Sequence, residues 1–262
     1  MSSQNSLISV KNSPEGISTL ILNNPDELNA LSFEMAEEFT REISTLSKDP
    51  QLRLLVIRGA GDRAFSSGGN LDMLLEKSKR DKSTNEKDMY EFYRSYLSIL
   101  KIPVPTLAAI NGHAVGAGLC LALACDIRIA TEKAKLGLNF VKLGLHPGMA
   151  ASALAQAHCG ISKARELLFT GRIFSASEGK EFGLVNHCFR DSEFEDRLTE
   201  ISNDIASSSP LAVRQLKQTL RENFPDLEKT LRREALCQAE NYASEDFLEG
   251  IRAAKEKRKP SF

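Results

Sequence analysis

The stretch Ile110–Ala130, INGHAVGAGLCLALACDIRIA, constrains the fold more than any other part of the chain. Between Ala114 and Cys125 it carries no charged side chain, so water is a poor environment for it. A bilayer is excluded on length, because a spanning helix needs about 20 apolar residues. The segment therefore reads as a helix buried in a protein core, entered through Gly116-Ala117-Gly118. A buried helix needs layers around it, and a chain of 262 residues is long enough to supply them.

The neighbouring segments provide those layers. LRLLVIRG (52–59), VPTLAAING (104–112) and DIRIA (126–130) are apolar runs of strand length, and ISTLIL (17–22) alternates towards a strand. Residues 32–49 place Phe33, Met35, Phe39, Ile43 and Leu46 at helical spacing. AFSSGGNLDMLLEK (64–77) reads as a strand end, a glycine turn and a helix start. SKRDKSTNEKD (78–88), charged and poor in apolar residues, reads as a mobile surface connection. Residues 89–100 predict a helix with Tyr93, Tyr96, Leu97 and Leu100 on one side, either in the core or lining an apolar ligand pocket. Strands alternating with helices, with the strands buried, point to an α/β architecture. From about residue 190 the pattern is helical throughout, with Ser209-Pro210 as a cap and first-turn proline and Ser244 as a cap for the last helix. The expected organisation is a core over 1–196 and a helical region over 197–262 that covers the core or meets a neighbouring subunit.

Composition narrows the function. A net charge of −1 provides no global field for nucleic acid or an anionic membrane, and the local run KSKRDK implies no more than nonspecific charge attraction. The five cysteines (Cys120, Cys125, Cys159, Cys188, Cys237) lack CxxC spacing, which excludes a zinc-site pattern and suits a reducing compartment. The N-terminal residues carry no apolar or Arg-rich targeting pattern, so the expected location is cytoplasmic. No G-x-x-x-x-G-K-[ST] or strand-linked G-x-G-x-x-G is present, which removes the P-loop and dinucleotide readings.

Two glycine turns remain. In SSGGNLDML, Gly68-Gly69 allows a tight backbone path and Asn70 is a good N-cap. In GHAVGAGLCLALACD, Gly116, Ala117 and Gly118 open the apolar helix. Each turn alone is explained as a structural connector. Together, amides from two helix starts could form an oxyanion hole for a thioester enolate, if the fold brings them together.

These segments resemble the crotonase (enoyl-CoA hydratase/isomerase) superfamily, and the resemblance runs over essentially the whole chain. LILNNPDELNAL, AFSSGGNLDML, AAINGHAVGAGLCLALACDIRIA, LGLHPGMA, ARELLFTGRIFSASEGKEFGLVN and EKRKPSF have family counterparts in the same order. The resemblance implies a spiral of ββα turns with a C-terminal helical trimerisation region, forming a homotrimer or a dimer of trimers. It implies an acyl-CoA thioester as ligand, coenzyme A being part of the substrate, and no tightly bound cofactor or metal. The oxyanion donors would be the N–H groups of Gly69 and Ala117, with Ser67, Gly68 and Gly116 beside them. Backbone groups of Asn29, Ala30 and Leu31 would lie near the CoA adenine. Lys257, in KEKRK, would either meet a CoA phosphate or serve as a solvated helix end.

The departures bear on the reaction. The two glutamates of the family's hydratases fall on Cys120 and Phe140, and the aspartate of its dienoyl isomerases falls on Gly148. Cys120 lies among apolar residues and is either a packed thiol or part of the acyl site. His146, in the turn that borders the family's acyl pocket, is either backbone-bonded or a replacement acid/base. Asn139 could orient a water, and Lys142 is a surface or pocket cation. Asp126 fixes backbone after the helix, and His113 reads as a turn histidine. His158 and His187 receive no role. The leading expectation is an acyl-CoA enzyme, hydratase/isomerase-like in a broad sense, that stabilises a thioester enolate. The alternatives are a malonyl-type decarboxylase, which needs no base to remove a proton, and an acyl-CoA-binding pseudoenzyme.

Overall fold

The computed structural model describes residues 6–70, 73 and 81–221, with positions 245, 249, 256, 258 and 261 beyond them. Lys257, Ser244, Cys237 and most of KSKRDK lie outside the described residues.

The organising unit is a pair of strands followed by a helix. β3 (Leu54–Gly59), β4 (Ala64–Ser66) and α2 (Lys82–Tyr96) make one such turn. β5 (Thr106–Ile110), β6 (His113–Val115) and α3 (Ala117–Leu123) make the next. β7 (Ile127–Thr131), β8 (Lys135–Gly137) and α4 (Ala151–Thr170) make a third. The first strand of each turn enters a six-stranded sheet and the second enters a four-stranded one. The larger sheet has the order β1-β2-β3-β5-β7-β10, with β1 (Ile8–Asn12) antiparallel to β2 (Ile17–Leu22) and the remaining pairs parallel. β10 spans His187–Phe189. The smaller sheet runs β4-β6-β8-β9, where β9 is Ile173–Ser175 and leads into α5 (Ala176–Glu181). The coil of ββα turns expected from the sequence is therefore present. β6 and β8 are additions to that reading, being only three residues each and too short for a periodicity.

Both faces of the larger sheet are covered, which is why its strands read as unbroken apolar runs. Leu55 and Ile57 of β3 face the main core with Ala108 and Ile110 of β5. Leu54, Val56, Leu107 and Ala109 face the other way, against Phe194 and Leu198 of α6 (Phe194–Ala206). The 196/197 division falls within α6, so residues on both sides of it bury the same sheet face. α7 (Pro210–Arg221) follows, and Ser209 Oγ accepts from Ala212 N at 3.4 Å, as the cap reading requires.

α3 is buried along its whole length. Leu119, Leu121 and Leu123 each contribute about 2 kcal/mol by leaving water. α1 (Phe33–Leu46) is capped by Ser32 and buries Met35, Phe39, Ile43 and Leu46. Two expectations fail on the other side of that core. Residues 82–88 are helix, because Asp81 caps α2 by accepting from Thr84 N at 2.9 Å. Leu100 is exposed, because the chain tightens after Tyr96 into a 3-10 turn over Leu97–Lys101 that buries Ser98 and Ile99 instead.

Candidate functional site

The site begins where β4 runs out. Leu31 pairs with Gly69 as an isolated parallel bridge, donating its N–H to Gly68 O at 2.7 Å and accepting from Asn70 N at 3.2 Å. Peptide groups alternate in direction along such a segment, so the N–H of Gly69 points away from Leu31. No described residue accepts it. Asn70 Oδ1 accepts from Met73 N at 3.0 Å, the capping role its side chain predicted.

The second turn follows β6. Gly116 N donates to Gly137 O at 2.8 Å, and α3 starts at Ala117, whose N–H belongs to the first helical turn and has no intrahelical acceptor. Gly116 has no side chain with which to cap it. The fold presses the two turns together. A Cβ on Gly68, where φ is +96°, would lie 2.7 Å from Val115 O and 3.4 Å from Ala117 N. A Cβ on Gly118 would lie 2.5 Å from Ser66 O. Small residues open the buried helix because its first turn lies directly against the backbone of β4 and the turn after it.

Gly69 and Ala117, the residues that carry these two amides, border one pocket of about 740 Å³. Its wall is largely apolar, with Met73, Met89, Phe92, Tyr93, Phe140 and Leu143 contributing. Ala30, Ser67, Gly68, Gly116 and His146 border it too. Glu27 is the only carboxylate among the described lining residues. It is exposed, and its Oε2 accepts from the amides of Asn24 at 3.1 Å and Asn70 at 3.2 Å. Among the described residues no group of three or more His, Cys, Asp or Glu could hold a metal ion, and no helix is long and apolar enough to cross a membrane.

Several predicted residues stand elsewhere. Cys120 is fully buried and does not border the pocket; its thiol faces Gly148 O at 3.8 Å. Burial holds its pKa well above that of an ordinary thiol, so it remains neutral. The side chains of Asn29 and Leu31 are likewise buried. Asn29 Nδ2 donates to Ala60 O at 3.0 Å and Ala64 O at 2.8 Å, which fixes the strand turn. The N–H groups of Asn29, Ala30 and Leu31 are all spent inside the chain, on Asn24 O, Glu27 O and Gly68 O. A ligand approaching here would meet carbonyl acceptors, not amide donors. His146 is exposed at the pocket edge with Nδ1 2.8 Å from Pro147 O. A carbonyl only accepts, so Nδ1 carries the proton and Nε2 holds the lone pair in the neutral ring. His113 Nδ1 accepts from Lys135 N at 3.1 Å, and Asp126 Oδ2 accepts from Thr106 N at 2.7 Å, both structural roles. Lys142 is exposed and outside the pocket, whereas Asn139 borders it.

The aromatic pair divides. Tyr96 is core, with its hydroxyl donating to Ser32 O at 2.8 Å, while Tyr93 borders the pocket. Sequence reading missed Met73, Met89, Phe92 and Leu143 as pocket residues. Nothing in a helical pattern separates an apolar side chain facing the core from one facing a cavity next to it.

Residues 12–262 match the family Enoyl-CoA hydratase/isomerase, so the chain belongs to that family, the crotonase superfamily. It is 34% identical over 254 residues to the mouse (Mus musculus) enoyl-CoA hydratase domain-containing protein 2, mitochondrial, covering 95% of this chain and 84% of that one. It is 32% identical over 252 residues to the mouse methylglutaconyl-CoA hydratase, mitochondrial, covering 94% of this chain and 79% of that one. Among solved structures, an enoyl-CoA hydratase from Bacillus anthracis superposes with a TM-score of 0.91 at 33% identity, covering 98% of each chain.

Proposed function

We propose that the protein is an acyl-CoA-processing enzyme that stabilises a thioester enolate between the N–H groups of Gly69 and Ala117. The observation that supports this reading is that Gly69 and Ala117, on separate glycine turns and each with an N–H that no described residue accepts, line one largely apolar pocket. Oriented donors of this kind need no reorganisation as negative charge develops on the carbonyl oxygen, and one such donor is worth on the order of 100- to 1000-fold in rate. Met89, Phe92 and Phe140 would hold the acyl chain, and the carbonyls of Asn29 and Ala30 would accept from the amino group of the adenine. A homotrimer or a dimer of trimers, with Lys257 at the CoA phosphates, belongs to the same proposal.

The proton-transfer equipment divides the remaining readings. The positions matched to the family's two glutamates hold a buried neutral thiol and a phenyl ring. His146 is the group by which hydration or isomerisation would proceed, through the lone pair on Nε2. Decarboxylation of a malonyl-type thioester needs less. The bond to the carboxylate breaks, carbon dioxide leaves, the electron pair enters the enolate, and a proton from water completes the α-carbon. A binding-only protein is the second reading, favoured by Glu27, the one carboxylate among the described lining residues, being held by two asparagine amides.

Turnover of crotonyl-CoA, longer 2-enoyl-CoA and malonyl-type thioesters, followed by absorbance and mass, tests these readings together. Ala117→Pro is the informative variant, since proline is tolerated in the first helical turn yet has no N–H. Saturable turnover should fall by about 100- to 1000-fold in the folded variant. Undiminished turnover would remove Ala117 from the mechanism. Binding without turnover across the series would establish the second reading, and failure to bind any CoA thioester would end both.

A further inference from the structure

Among the described residues, three side chains with titratable protons border the pocket: Glu27, His146 and Tyr93. The first two are exposed and already hydrogen-bonded to the chain. Tyr93 differs on both counts. It is half-buried, and its hydroxyl makes no hydrogen bond to any described residue. The phenol oxygen occupies the space that a Cβ on Gly148 would need. Gly148 is itself buried, and its carbonyl faces the Cys120 thiol. Tyr93 thus brings a polar group to the apolar part of the wall formed with Met89, Phe92 and Phe140.

We propose that Tyr93 is a specificity-determining hydrogen-bond donor for the acyl group, selecting acyl-CoA thioesters whose chain carries an oxygen atom beyond the thioester carbonyl. The inference rests on the acyl-CoA reading of the pocket. Its physical basis is the asymmetry between making a hydrogen bond and leaving one unmade. A hydrocarbon chain that expels water from this hydroxyl leaves a donor without an acceptor, whereas a 3-oxo, hydroxy or carboxylate oxygen supplies one. Burial raises the phenol's pKa, so the group is a donor throughout the neutral range. Sites that hydrogen-bond a substrate group discriminate against analogues lacking it far more strongly than apolar pockets discriminate by size.

The test is the ratio of dissociation constants for butyryl-CoA and acetoacetyl-CoA, measured by calorimetry on the intact protein. These ligands differ by one oxygen at carbon 3, and neither can lose or gain water. The wild-type protein should prefer acetoacetyl-CoA by about tenfold or more, and Tyr93→Phe should bring the ratio close to one. Gly148→Ala gives an independent route, since its methyl group displaces the phenol without removing the hydroxyl, and it too should collapse the preference. A wild-type ratio near one, or a preference that persists in folded Tyr93→Phe, would overturn the inference while leaving the acyl-CoA site standing. Failure of the wild-type protein to bind butyryl-CoA at all would instead remove the underlying reading, and this inference with it.

Discussion

Gly118→Ala tests whether the close approach of α3 to β4 builds the site. Two effects oppose each other. Alanine is the better helix former, by about 1 kcal/mol in a helix interior. Against this, the new Cβ would lie 2.5 Å from Ser66 O, 2.7 Å from Ser66 Cβ and 2.8 Å from Ser66 Oγ. The first contact is roughly 0.8 Å shorter than the closest ordinary carbon–oxygen approach of about 3.3 Å. Ser66 is fully buried, and its Oγ also accepts from Gly68 N at 3.2 Å, so neither its backbone nor its side chain can yield freely. Forced overpacking costs about 1–3 kcal/mol; against a neighbour that cannot yield the upper part of that range applies, about 2–3 kcal/mol, so net of the helical gain the loss is about 1–2 kcal/mol. For a chain of this size that corresponds to a drop in Tm of roughly 2–8 °C. The larger effect should be on function. Relief of the clash moves Ala117 away from the Gly68-Gly69 turn, and a misplacement of about 1 Å at a catalytic group can cost about 100-fold in rate. Urea unfolding and acyl-CoA turnover on the same preparations measure both. A variant more stable than wild type with undiminished turnover would show that the two turns are not held by this contact.

Further outcomes follow from the same geometry. Lys217 is buried, donating to Asp126 Oδ2 at 2.7 Å and Val104 O at 2.6 Å, so Lys217→Met should cost about 1–3 kcal/mol in urea unfolding; the solvent-exposed pair Arg197–Glu200 should change stability by less than about 1 kcal/mol when broken. Loss of that contrast would mean that burial does not govern these pairs. His158 has its pKa lowered, first by burial and then by the Arg128 guanidinium, so the folded protein binds its proton less readily than the unfolded chain does. The resulting stability is fully present above the unfolded imidazole pKa near 6.5 and is lost as pH falls through the lower folded value. His158→Gln should therefore flatten the dependence of the urea midpoint on pH below about 6.5, and an unchanged slope would exclude His158 as its source. Cys120 and Cys125 are fully buried, the latter with its thiol pKa pushed up to about 12, so iodoacetamide should modify them only on unfolding. Rapid native labelling of Cys120, with protection by an acyl-CoA, would return that thiol to the pocket.

The amino-acid sequence by itself determined the layers. Continuous apolar runs at 52–59 and 104–112 specify strands buried on both faces, and the charge-free stretch after Ala114 specifies an interior helix, because each follows from local periodicity and the cost of exposing apolar surface. The capping roles of Asn70 and Ser209 were legible for the same reason, since a cap acts within three residues of itself. Only the tertiary structure decided which of these residues meet. Leu31 orients Gly69 from 38 positions away, and the spacing of Gly68 from Ala117 depends on β4 pairing with β6. The same coil of strands separated Tyr96 from Tyr93, three positions apart on one helix, by placing core against the first and a cavity against the second. It buried the Cys120 thiol and the Asn29 side chain outside the pocket for the same reason. Periodicity records that a side chain leaves water; what fills the space beyond it is a property of distant chain segments packed together.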